Sequence, residues 1–297
     1  YAAIKDRINF RFADVLLNEK FFKSKEYDGF ENRVINQLAF YNEKYGYELV
    51  VGPKLYDQSL LFEHHMEELK QYVTFVDIFW LQNQLDAGKD VLAEGAQGTM
   101  LDNNFGCYPM VTSSNTIAGA APIGLGVPMK YFGKTIGVAK WYTTKVGGGM
   151  FPSKIDDEAI QTLMREAGGE VGATTGRNRD IGWLDIPQLL FALRINAVDE
   201  LIITKVDINP LNKVQILSSY CFEDREIDAF PFDISEIGEH TALHGFESWT
   251  MPENGSILNT NLKPYLEFIQ HRIERNGLSS RLTMISCGPN RDDIIAY

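Results

Sequence analysis

Apolar and polar positions follow two different rhythms along this chain, and the changes of rhythm outline its elements. Over 56–84, Leu60, Leu61, Met66, Leu69, Val73, Val76, Ile78 and Phe79 recur at helical spacing with charges between them. This predicts one long helix or two consecutive ones. Short apolar runs then alternate with helical patterns. DVLAE (90–94) predicts a strand running into glycine-rich GAQGT, and KTIGVAKWYTT (134–144) predicts a buried strand. Helices are expected over 157–166 and 186–198, strands over 200–204 (ELIIT) and 213–217, and a helix over 261–276 with Gly277 as its capping glycine. RLTMIS (281–286) closes the series as a strand opening into CGP. Strands alternating with helices, each strand ending in a polar, glycine-containing loop, predict an α/β fold with a mostly parallel sheet. In such sheets ligands lie beyond the carboxyl ends of the strands. The loops after 94, 204 and 286 are therefore the ones to read.

Composition narrows the possibilities. The 297 residues, 44% hydrophobic and 12% aromatic, are enough for one large domain or two modest ones. No run approaches the roughly 18 residues of a membrane span, and no signal-peptide pattern opens the chain. Cys107, Cys221 and Cys287 are widely spaced and form no metal-type pattern, so a reduced, cytoplasmic protein is expected. A net charge of -12 argues against a general nucleic-acid binder. Any anionic ligand must be met by local arginines, backbone N–H groups and helix termini. The chain opens on Tyr1 with no lead-in to its first element, which raises the expectation of a fragment.

Four loops carry candidate chemistry. In TKVD (204–207), Asp207 at a strand end can accept from N1–H and N2–H2 of guanine, while the Lys205 stem lies along the base with its ammonium in water. Adenine lacks that donor pair, and sites of this kind discriminate by about 10⁴. Charged residues ending a strand are equally an ordinary solvated terminus. SCGPNR (286–291) is a tight turn whose backbone could approach a flat ligand, or simply a turn. In EGAQGTMLDNNFGCYPMVTSSNT (94–116), Gly95 and Gly98 flank Gln97, and the hydroxyl run 112–116 could cap a helix, with or without a phosphate at its N-terminus. In GATTGRNRD (172–180), Arg177 and Arg179 alternate around Asn178 on a loop anchored by Gly172 and Gly176. Paired guanidiniums of this sort suit carboxylate or phosphate. Thr174 and Thr175 add neutral donors. A small dicarboxylate is the sharper reading, a solvated basic turn the plainer one.

Together, GAQGTMLD, YPMVTSSNT, GATTGRNRDIGWLD, TKVD and SCGP, in that order, resemble the adenylosuccinate synthetase family along the whole chain. The resemblance implies an α/β fold related to P-loop NTPases, with a mostly parallel central sheet flanked by helices. Residues 1–89 would form a mainly helical segment, and 90–297 a sheet carrying the ligand loops, as the C-terminal portion of one domain. It implies GTP-dependent ligation of IMP and L-aspartate to adenylosuccinate through 6-phosphoryl-IMP, in a cytoplasmic homodimer.

Position by position, Asp207 would read guanine, with Lys205 against the base and Ser286, Gly288 and Pro289 completing the pocket. Gln97 and Thr112 would contact IMP, Thr112 near its 5′-phosphate, and Val146 and Gly147 would line its ribose. Thr174, Thr175, Arg177 and Arg179 would form the aspartate loop, with Arg177 also near the IMP ribose and Arg179 also on the GTP side. Arg7, in YAAIKDRINFRFADVL, would reach the IMP phosphate of the neighbouring subunit.

The family's phosphate loop, catalytic acid and base and Mg²⁺ ligands have no counterpart in this sequence. The chain alone is therefore expected to lack turnover, and no catalytic or metal residue is assigned in it. His64, His65, His240, His244 and His271 are read as structural. Cys107 and Cys287 stand where threonine is common, Lys145 replaces an arginine, and Lys154 departs from the family's usual Phe-Pro-Thr-Glu pattern; none removes an expected ligand contact. Two other readings stay open: a viral-type relative joining aspartate to a guanine nucleotide, and a non-catalytic GTP-binding or interaction protein.

Overall fold

The computed structural model describes residues 30–46, 64–65, 68, 71–172, 176–222, 225–231, 237, 241–251 and 260–297. The chain divides into two units, Tyr1–Asp86 and Ala87–Tyr297. The first holds helix α1 (Phe30–Tyr45) and the short helix α2 (Trp80–Asp86). The helical pattern over 56–84 is realised only in part, since residues 71–79 are turn and irregular backbone. Val73, Thr74, Val76 and Ile78 are β-branched and lose χ1 freedom in a helix. Asp77 then starts α2 by accepting the Phe79 N–H at 2.8 Å.

The second unit is built on two sheets. In one, β1 (Ile136–Lys140), β4 (Glu200–Thr204) and β8 (Arg281–Ser286) lie side by side and parallel, with β9 (Ile294–Ala296) antiparallel at the edge. The other contains β2 (Tyr142–Lys145), β3 (Asp180–Asp185), β5 (Lys213–Phe222), β6 (Arg225–Ile227) and β7 (Ala242–Glu247). Only β3 and β5 pair in parallel there. The α/β class holds. The mostly parallel arrangement describes the first sheet but not the second, where β2–β3, β5–β6 and β5–β7 pair antiparallel and only β5–β6 is joined by a tight hairpin.

Helices flank these sheets: α3 (Ala121–Leu125), α4 (Glu158–Gly168), α5 (Ile186–Ile195) and α6 (Leu262–Arg275). Their ends follow from local chemistry. Asp157 caps α4 by accepting from the N–H groups of Ala159 and Ile160, and Gly169 ends it at φ 60°. Asp185 caps α5 through the Gln188 N–H. Asn276 caps α6, so the expected Gly277, at φ 71°, falls one residue beyond the cap.

Three strand expectations need correction. The run 134–144 is not one buried strand; it is β1 and β2, in different sheets, parted at Trp141. β1 is an edge strand, and Ile136 and Val138 are exposed on it. The 90–94 run is irregular and exposed, with no strand partner among the described residues. The strand starting at Lys213 continues to Phe222 because β6 and β7 both pair along it.

The core of this unit lies under both sheets and includes Trp141, Ile181, Leu201, Ile203, Ile216 and Tyr265. β3, for which the sequence pattern predicts no strand, is buried along almost its whole length. Gly182 permits this, because a Cβ there would lie 2.6 Å from Phe151 Cζ and 2.7 Å from the Ser153 carbonyl oxygen.

Candidate ligand-binding site

Parallel pairing brings the carboxyl ends of β1, β4 and β8 to one side of the first sheet, with Lys140 opposite Thr204. The TKVD and SCGP loops therefore leave neighbouring strands, and Val206 N–H donates to the Ser286 carbonyl at 3.2 Å. Two buried indoles fix the first loop from beneath. Trp249 Nε1 donates to the Val206 carbonyl at 2.8 Å and Trp141 Nε1 to that of Ile208 at 3.0 Å. The two rings meet edge to face at 5.1 Å. Asp207 is exposed, and its carboxylate has no hydrogen-bond or ion-pair partner among the described residues.

The second loop is shaped by Asp293, which sequence reasoning passed over. Its carboxylate accepts the Asn290 N–H at 2.7 Å, and its carbonyl accepts the Cys287 N–H at 2.8 Å. A Cβ on Gly288 would collide with this carboxylate, which would have to shift to admit any larger residue. Ser286 Oγ donates to the Gly288 carbonyl at 3.1 Å, and Pro289 is exposed. Burial, together with the charges of Asp207 and Asp293, pushes the Cys287 thiol pKa up.

Lys205 departs from expectation. Its ammonium is not in water: it donates to the Gly168 carbonyl at 2.6 Å and to Glu170 Oε1 at 3.0 Å. Its backbone lies at φ 60°, which turns the side chain towards the end of α4.

Glu170 is the centre of this region. Its side chain is completely buried. Oε1 accepts from Tyr142 OH at 2.5 Å, from Lys140 Nζ at 3.0 Å and from Lys205 Nζ, while Oε2 accepts from Arg179 Nη1 at 2.6 Å. Burial alone would raise the pKa of this carboxyl. The Tyr142 hydrogen bond and the neighbouring lysines outweigh it and hold the group at about 2. Burial pulls Lys140 down to about 8 against the opposing pull of Glu170. Burial, followed by the bond to Glu170, pushes the Tyr142 hydroxyl well above its usual range. Three cations thus surround one carboxylate, an excess of positive charge suited to anionic ligands.

The arginine loop is closed like a small hairpin. Gly172 N–H donates to the Arg177 carbonyl at 2.8 Å, Arg179 N–H to the Glu170 carbonyl at 3.1 Å, and Gly176 sits at φ 62°. Arg177 is exposed, and Thr174 and Thr175 lie outside the described residues. Antiparallel pairing sets Lys145 opposite Asp180, so Val146 and Gly147 follow on beside Arg179.

The 94–116 loop is organised around buried Asp102. Its carboxylate accepts the N–H groups of Asn104, Phe105, Thr116 and Ile117, which hold its pKa down against the effect of burial. Gln97, at φ 76°, donates from Nε2 to Thr112 Oγ1 at 3.1 Å and accepts from Ser114 Oγ at 3.0 Å. The hydroxyl run 112–116 does not cap a helix. α3 starts at Ala121 without a side-chain cap, and the run instead wraps onto Asp102 and Gln97. This loop meets the Val146–Gly147 turn through Met110, whose Cγ would lie 2.9 Å from a Cβ on Gly149.

Arg7 and His240 lie outside the described residues. His244 stacks on Phe268 at 4.7 Å, a packing role. Among the described residues no three His, Cys, Asp or Glu side chains converge as a metal site. None of the helices described is long and apolar enough to cross a membrane.

Comparison with known proteins identifies the family. Residues 1–295 match the family model for adenylosuccinate synthetase. The adenylosuccinate synthetase of Thermoplasma volcanium is 41% identical over 77% of this chain and 53% of its own length. That of Caldicellulosiruptor bescii is 36% identical over 99% of this chain and 67% of its own. The structure of the fully ligated adenylosuccinate synthetase from Plasmodium falciparum superposes with a TM-score of 0.82 at 28% identity, covering 100% of this chain and 68% of that one. The chain thus spans about half to two thirds of the length of these relatives.

Proposed function

This chain belongs to the adenylosuccinate synthetase family, and from that premise we propose that the protein serves the GTP-dependent ligation of IMP and L-aspartate to adenylosuccinate. One observation carries the reading at the level of the site. A carboxylate left free to accept, Asp207, stands beside a cluster in which Lys140, Arg179 and Lys205 outnumber Glu170. Asp207 would pair with N1–H and N2–H2 of guanine, with Ser286, Gly288 and Pro289 around the base. Arg179, bonded to Glu170 through Nη1 only, keeps its remaining N–H groups for a substrate carboxylate or a GTP phosphate. Gln97, Thr112, Val146, Gly147 and Arg177 would take IMP, and Thr174 and Thr175 the aspartate.

In the reaction, GTP phosphorylates the 6-oxygen of IMP. The aspartate amine then forms the C6–N bond as the C6–O bond breaks, losing a proton and releasing phosphate. This chain's share is to bind and orient the three substrates and to neutralise their charge. Mg²⁺ would assist the phosphoryl transfer. The described residues offer no ligand set for it. The same reading makes the protein a cytoplasmic homodimer with Arg7 reaching the neighbouring subunit's IMP. The relatives' names do not favour a viral-type nucleotide preference or a non-catalytic GTP-binding protein.

The test is formation of adenylosuccinate by this polypeptide from IMP, GTP, aspartate and Mg²⁺, with equilibrium binding of IMP and GTP measured alongside. Product, or binding of both nucleotides without turnover, supports the reading. Failure to bind either nucleotide overturns it.

A further inference from the structure

Glu170 has no ligand role in the reading above, yet two of the proposed ligand groups are fastened to it. Arg179 is tied to it twice, by side chain at 2.6 Å and by backbone N–H to its carbonyl at 3.1 Å. Lys205 is tied to it at 3.0 Å and to Gly168, two residues earlier, at 2.6 Å. These two anchors come from opposite sides of the site, one from the arginine loop and one from the end of β4.

The Lys205 tether matters more because of its backbone. A non-glycine residue at φ 60° lies in a disfavoured region and stays there only when its surroundings fix it. The bonds from Nζ contribute to that fixing, beside the bond from the Ile208 N–H to the Lys205 carbonyl at 3.0 Å. Lys205 stands two residues before Asp207, so its conformation sets the direction of the turn that presents the Asp207 carboxylate. Arg179 presents a monodentate contact to Glu170, and its side chain remains 31% exposed. One edge is anchored while the other stays available.

We propose that Glu170 is a positioning residue that sets the affinities for aspartate and for GTP together, by holding Arg179 and Lys205 to a single buried carboxylate. This rests on the assignment of Arg179 to aspartate and of Lys205 to the guanine pocket given above. Tyr142 and Lys140 complete the device. They saturate Oε1 and keep the group ionised, so both anchors remain charge-assisted. Close approach of Tyr142 requires Gly168, where a Cβ would lie 2.6 Å from the Tyr142 hydroxyl.

The experiment is a set of equilibrium affinities for GTP, L-aspartate and IMP, measured on the whole chain. The proteins are wild type, Glu170→Gln, Arg179→Leu, Lys205→Met and the two double variants. Glu170→Gln keeps the shape but removes the charge. It should weaken GTP and aspartate about tenfold each, the loss of one charge-assisted bond per anchor, and leave IMP within about twofold. In the Arg179→Leu background the same change should weaken GTP but add nothing for aspartate. In the Lys205→Met background it should weaken aspartate but add little for GTP.

Equal weakening of all three ligands by Glu170→Gln would mean a general loss of structure and would overturn the proposal, as would full additivity in both double variants. If Arg179→Leu and Lys205→Met each leave their own ligand unaffected, the underlying assignments fail and the proposal falls with them. That result is distinguishable, because it appears in the single variants.

Discussion

Acidification should lower the stability of the sheet unit through Glu170. The carboxyl is held at about 2 against an ordinary 4.5. At about 1.4 kcal/mol per pH unit, that gap corresponds to roughly 3 kcal/mol of stability. The sign follows from the lowered value. Below 4.5 the unfolded chain takes up the proton and the folded chain does not, so the contribution is complete above that pH and drains away as pH falls towards 2. Glu170→Gln provides the reference, because every other carboxylate titrates in both proteins. Urea unfolding at several pH values, followed by the emission of buried Trp141, Trp183 and Trp249, reports the unit directly. The stability gap between wild type and variant should be largest near neutrality and shrink by about 3 kcal/mol on going to about pH 2. A gap that stays constant over that range would refute the account of Glu170 as an ionised, buried hub.

Three further outcomes are expected. Asp207→Asn should lower use of GTP and improve tolerance of xanthine nucleotide, since an amide offers a donor where the carboxylate only accepts; unchanged base preference in a competition assay would remove Asp207 from the guanine pocket. Gly182→Ala should destabilise the unit by about 1–3 kcal/mol, because its methyl would meet Phe151 and the Ser153 carbonyl, and a wild-type melting temperature would contradict that packing. Asp185 is pushed up to about 7 by burial, offset in part by the Gln188 N–H and Tyr220. A raised carboxyl stabilises most while protonated, and that contribution is lost as pH rises through 7. Asp185→Asn, which keeps an oxygen for the cap, should therefore gain on wild type between about pH 4 and pH 7; the opposite trend in denaturant midpoints would sink the reading.

What the sequence disclosed depended on how local the cause was. ELIIT and RLTMIS matched their strands because a parallel strand covered on both faces is written as a continuous apolar run. The ends of α4 and α6 fell within a residue or two of expectation for the same reason, since a helix end is decided locally; the caps themselves, Asp157 and Asn276, each lay one position from where the pattern put them. β3 escaped because its two aspartates read as loop, whereas their partners are distant: Asp180 pairs with Lys154, and Asp185 receives the Tyr220 hydroxyl. Glu170 was invisible for a stronger reason. Four of its partners, Lys140, Tyr142, Arg179 and Lys205, lie 9 to 35 positions away, and three of them sit on strands or loops that meet it only through sheet topology. The order of the loops was legible and their convergence was not.

The passage of the chain from one sheet to the other takes a single residue. Every polar group of Trp141 is engaged there: its N–H donates to the Thr204 carbonyl, its carbonyl accepts from Tyr265 OH, and its indole N–H donates to the Ile208 carbonyl. Sliding either sheet against the other would break all three bonds at a fully buried position, each costing about 1–3 kcal/mol if left unmade. The two sheets therefore behave as one stiff frame. Whatever adjustment accompanies ligand capture falls to the loops hung from that frame, and a ligand seated on one side meets the other already in register.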